Sequence, residues 1–100
     1  MIRIDVIHNN NNIKQIILKG HADYEEYGKD IVCAAVSATF LCTVNAILAI
    51  DEEAIQVTSQ KEEQVIDVIK EDRITQKLLH NMLKCLENLE EQYPKNIKIR

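Results

Sequence analysis

The chain has 100 residues, of which 46% are hydrophobic and 28% charged, with a formal net charge of -4. This is the make-up of one soluble globular domain with a modest core, which oligomerisation would extend, and not that of a disordered chain. The acidic balance and the lack of a Lys/Arg cluster exclude the basic stripe of a typical nucleic-acid binder.

The N-terminal "IRIDVI" alternates apolar and polar residues, which is the period of a half-buried strand. Asn9, Asn10, Asn11 and Asn12 follow, and asparagine tolerates left-handed backbone angles, so they predict a hairpin turn. "IKQIILKG" is the returning strand and ends at Gly20. Residues 21–29 are expected to form a polar loop carrying Asp23, Glu25 and Glu26, with Gly28 as its most flexible point.

A long helix is expected over residues 30–50, with Asp30 as its N-cap. Its charge-free stretch from Ile31 to Ile50 approaches the length of a membrane span, but Ala, Ser, Thr and Cys are frequent in it and acidic residues bound both ends. A buried helix is the preferred reading, with no membrane partner. Apolar residues lie nearly all round this helix. One sheet covers one side, so a second copy of the chain is expected on the other, giving a homodimer.

"AIQVTSQ" and "QVIDVIKE" predict a second hairpin with "QKEE" between them. A second helix then carries an apolar stripe of Ile74, Leu78, Met82, Cys85, Leu86 and Leu89, and stops at Tyr93-Pro94. "NIKIR" is read as a short extended tail. The expected fold is α+β and two-layered, an antiparallel four-stranded sheet with two helices in the order β-β-α-β-β-α, forming a single domain over residues 1–100.

Three cysteines, Cys33, Cys42 and Cys85, stand far apart with no CxxC and no metal-ligand spacing. They suit a reduced, cytoplasmic protein, and no metal or other cofactor is expected, because two potential ligands at most converge. Asp30 as cap would set Cys33 at the third helical position. Unpaired amides and the positive end of the helix dipole there favour a thiolate and can hold an oxyanion. His21, at the mouth of the preceding strand, is placed to act as general base and acid. The competing reading makes Cys33 a small core residue and His21 a solvated loop residue. Ser37 lies one turn beyond Cys33 on the same face, where its hydroxyl can bond the Cys33 carbonyl. Asp30 either caps the helix or orients His21. Cys42 is nine residues from Cys33, about 900° of helical rotation, so it faces the opposite side, in the core or at a dimer interface. His8 and His80 are expected to be solvated.

The stretch "GHADYEEYGKDIVCAAVS" resembles the signature of the ribosomal-processing cysteine protease family Prp, through Gly20, His21, Ala22, Gly28, Asp30, Ile31, Val32, Cys33, Ala34, Ala35 and Ser37. The resemblance implies a homodimeric cysteine endopeptidase in which Cys33 is the nucleophile and His21 the base and acid, with Asp30 and Ser37 supporting them. It implies a mobile loop over the site, with Gly20, Ala22 and Gly28 in it. The implied substrate is large-subunit ribosomal protein twenty-seven, cut after an aromatic residue to remove a short N-terminal extension before ribosome assembly. The acidic loop would suit a basic substrate, although plain solvation explains its charges equally well. The rival functions are a non-catalytic dimeric ribosome-associated binding protein and a thiol redox sensor.

Overall fold

A computed structural model describes residues 1–20 and 27–100, with side chains described from residue 31 onward in the second span. The alternating N-terminal segments form the expected antiparallel hairpin, β1 (Ile2–Asn9) and β2 (Asn12–Lys19). Asn10 turns it with φ of 60°, a left-handed angle that asparagine accepts at low cost. The register shifts between Ile7 and His8, so that Lys14 on β2 has no partner on β1. This bulge explains why Ile13 and Ile16, an odd number of residues apart, are both buried.

Next come α1 (Tyr27–Ile50), the antiparallel pair β3 (Ile55–Gln60) and β4 (Glu63–Val68), α2 (Arg73–Gln92) and β5 (Ile97–Ile99). The five strands form one sheet in the order β3-β4-β2-β1-β5. The expectation of a four-stranded antiparallel sheet is therefore wrong: the "NIKIR" tail is a fifth strand, parallel to β1. A turn after α2, closed by Asn96 N–H donating to the Tyr93 carbonyl, delivers the tail to the open edge of β1. There Ile2 N–H donates to Asn96 O at 2.8 Å and Arg100 N–H to Ile4 O at 2.8 Å. Ile97 becomes fully buried, which rewards the pairing with a core contact.

One apolar cluster joins the inner face of the sheet to both helices. From α1 it takes Val32, Val36, Phe40, Val44 and Ile47, spaced as one helical face. Away from that face α1 exposes Ile31 and Leu41, and Ile50 is exposed at the end of the helix. Residues Ile31–Ile50 are long and apolar enough to cross a membrane, yet their inner face is built into this core.

Asp72 caps α2 by accepting from Thr75 N–H at 2.8 Å. The buried face of α2 is rotated from the expected stripe: Ile74 and Cys85 are exposed, while Thr75 and Gln76 are buried beside Leu79, Met82, Leu83 and Leu86. Gln76 explains the rotation. Its Oε1 accepts from Ile13 N–H at 2.7 Å and its Nε2 donates to Ile13 O at 2.8 Å. The β4 pairing with β2 ends at Gln15, so the side-chain amide takes the place of strand β4 beside Ile13.

Beyond α1, the Lys70 ammonium donates to Asp51 at 2.9 Å and holds that carboxyl below its ordinary value of 3.8. This latch ties the C-terminal end of α1 to the segment after β4.

Candidate active site

Helix α1 begins at Tyr27, three residues before the expected start. Asp30 is therefore not its N-cap, and Gly28 and Lys29 are helical where a loop was expected. Cys33 becomes the seventh helical residue. It lies beyond the four unpaired amides of a helix start, and the field of the dipole falls off within the first turn. The expected activation of the thiol by the helix end, and the oxyanion site in its free amides, are therefore not provided at Cys33. His21, Ala22 and the acidic Asp23, Glu25 and Glu26 lie outside the described residues, as does the side chain of Asp30.

The structure brings Cys33, Ser37 and Gly20 together around one pocket of about 240 Å³. Cys33, Val36, Ser37 and Phe40 fall at helical spacings of three and four and so share one face of α1. Cys33 is half-buried against the core and Ser37 is exposed. Buried Ile2, Leu18, Val36 and Phe40 make the apolar part of the lining, and residues 61–64, the β3–β4 turn and the start of β4, make the polar wall. The hydroxyls of α1 that bond back to the helix are those of Thr39 and Thr43, to Ala35 O and Thr39 O. Among the described residues Ser37 makes no bond to the Cys33 carbonyl, and it lines the pocket.

Gly20 holds the strand end that leads into His21, and its backbone is tightly placed. Its φ is +82°, an angle that L side chains rarely adopt. Its N–H donates to Glu62 O at 2.9 Å, and a Cβ added to it would stand 2.6 Å from Met1 O. Gly20→Ala is expected to cost roughly 1–3 kcal/mol through the backbone angle alone, and the clash with Met1 O adds to that. Denaturant titration of the variant should show the loss.

The other two cysteines stand apart. Cys42 is exposed on α1, which excludes the core site expected for it, and Cys85 is exposed on α2. His8 and His80 are exposed, as expected. A larger cleft of about 410 Å³ opens at the far end of α1 between Ile47, Ile50, Arg73 and Ile74, and no cysteine or histidine lines it. Among the described residues no three His, Cys, Asp or Glu side chains gather as metal ligands. Sequence reasoning missed the wall formed by residues 61–64, because nothing local in "SQKEEQ" signals its contact with α1 and Gly20.

Comparison with known proteins identifies the family. Residues 1–98 match the family described as cysteine protease Prp. The ribosomal processing cysteine protease Prp of Staphylococcus aureus is 33% identical over 103 residues, covering 99% of this chain and 97% of the relative. A crystal structure of the S. aureus protease with a substrate peptide superposes with a TM-score of 0.90 at 32% identity, over 100% of this chain and 98% of that one. A second, with a covalently linked product peptide, gives 0.88 at 33% identity over the same shares. Fold, pocket and relatives together define a cysteine peptidase. The chain belongs to the ribosomal processing cysteine protease family Prp.

Proposed function

We propose that this protein is the endopeptidase that removes the N-terminal extension of large-subunit ribosomal protein twenty-seven after an aromatic residue, as a step in ribosome assembly in the cytoplasm. The observation that carries the reading is the pocket in which Cys33 and Ser37 stand beside the apolar side chains of Ile2, Leu18, Val36 and Phe40. Such a lining suits an aromatic side chain next to a bond presented to the thiol. The S. aureus relatives are bound to substrate and product peptides, which supports a peptide as the class of substrate.

Cys33 is the nucleophile and His21 its base and acid. His21 takes the thiol proton, and the Cys33 Sγ attacks the carbonyl carbon, whose π electrons move to oxygen. The tetrahedral adduct collapses, the C–N bond breaks, and the His21 imidazolium protonates the leaving amine. Water, deprotonated by His21, then attacks the thioester, releases the carboxylate and restores the thiol. Since Cys33 stands in the second turn of α1, activation of the thiol falls to the imidazole and not to the helix end. Ser37 and Asp30 support this pair, Ser37 through a hydroxyl in the same pocket.

The working form is a homodimer without nucleic acid or membrane in its contacts. Ile31 and Leu41 are 49% and 55% exposed on α1, an apolar side that a second copy would cover. Leu41→Asp is expected to convert a dimer into monomers by sedimentation velocity, since a carboxylate desolvated without a partner is costly. A wild-type protein that sediments as a monomer would remove the dimer from this reading. The function itself is tested by mixing the purified protein with the full-length ribosomal protein and measuring intact mass. A product shortened at one aromatic residue near the N-terminus is expected; an uncut substrate with its extension intact would overturn the proposal.

A further inference from the structure

The Cys33 pocket does not end at Gly20. A second groove of about 330 Å³, lined by Lys19, Gly20, Gln60, Lys61, Glu62 and Glu63, shares Gly20 and residues 61–63 with it. The two form one cleft that turns around Gly20, apolar beside Cys33 and polar beyond. A peptide is long enough to occupy both, and a pocket for one aromatic side chain would need only the first.

The charges in the second groove are unequal in availability. Lys19 is paired with Glu63 at 3.3 Å, and Glu62 has a partner of its own. Among the described residues Lys61, at the tip of the β3–β4 turn, is the lining charge without an ion pair. The geometry points to this turn as the second substrate subsite of the peptidase, in which Lys61 selects a peptide with an acidic residue at one fixed distance from the scissile bond. This inference rests on the proposed endopeptidase activity and adds to it a specificity residue outside the catalytic pair. An exposed pair of this kind is worth a few-fold in selectivity, on the order of twofold to fivefold.

The test uses wild type, Lys61→Ala and Lys61→Glu, with peptides that carry one aromatic cleavage site and a single Glu or a single Lys at each flanking position in turn. Cleavage rates at low salt give kcat/KM, and the same peptides are titrated into the Cys33→Ala forms by fluorescence anisotropy. At one position wild type should prefer Glu over Lys by about twofold to fivefold, Lys61→Ala should show no preference, and Lys61→Glu should prefer Lys. Added salt should shrink the wild-type preference. Glu/Lys ratios unchanged by both substitutions, in cleavage and in binding, would overturn the inference while leaving the peptidase intact. Peptides that bind with the expected ratios but are never cut would instead remove the endopeptidase reading and keep the subsite.

Discussion

Cys33→Ala is expected to abolish cleavage, with a loss of at least about 10⁴-fold in kcat, because it removes the proposed nucleophile. Little else should change: Cys33 is half-buried at the edge of the core, so the shorter side chain costs about 1 kcal/mol of stability. His21→Ala should reduce cleavage nearly as far, since residues that act as one unit are not additive. A measurement of thiol reactivity separates chemistry from exposure. Cys42 and Cys85 are exposed and Cys33 is not fully so. Accessibility alone would have iodoacetamide label the first two before Cys33. An imidazole partner reverses the order near neutral pH, and His21→Ala should restore it. Peptide mapping of the alkylated protein reads this directly. Labelling of Cys33 last in wild type, or undiminished cleavage by Cys33→Ala, would show that the nucleophile lies elsewhere.

The features legible in the sequence were those set by local pattern. Alternation in "IRIDVI" and four asparagines gave the first hairpin, and Pro94 gave the end of α2. The features that escaped depend on distant partners. β5 has three residues, too few for a periodic signal, and becomes a strand because β1 has an open edge. The bulge at Lys14 lets Ile13 face the core, against simple alternation. Asp30 is a good cap residue, yet α1 starts at Tyr27 and carries it inside the first turn. For the site, helical spacing alone placed Ser37 beside Cys33, and both line the pocket with Gly20. The turn that closes the pocket lies some forty residues further along the chain, and only the pairing of β4 with β2 brings it there.

The largest effect on stability is expected at Gln76. The residue is 7% exposed, and its amide satisfies both backbone groups of Ile13, itself fully buried. Gln76→Leu fills the space and leaves a buried N–H and a buried C=O without partners. Each such group costs about 1–3 kcal/mol, so the variant should lose roughly 2–6 kcal/mol out of a total of about 5–15. In a chain of this size that lowers Tm by at least about 8 °C. Gln76→Glu separates hydrogen bonding from packing. Protonated, its carboxylic acid can accept from Ile13 N–H and donate to Ile13 O. Ionised, it loses the donor and leaves a charge in the core. Burial raises the folded-state pKa of that Glu, so its folded form binds more protons than its unfolded form. The stability of Gln76→Glu is then greatest below the ordinary carboxylate range and falls as pH rises through it, in excess of any wild-type trend. The Gln76→Leu deficit relative to wild type should be flat over the same range. Thermal melts of the three proteins from pH 4 to 7 check both signs. A Gln76→Leu variant within about 0.5 kcal/mol of wild type, the range of an ordinary surface substitution, would mean that water or a shifted β2 satisfies Ile13. The side-chain amide would then not be what joins α2 to the sheet.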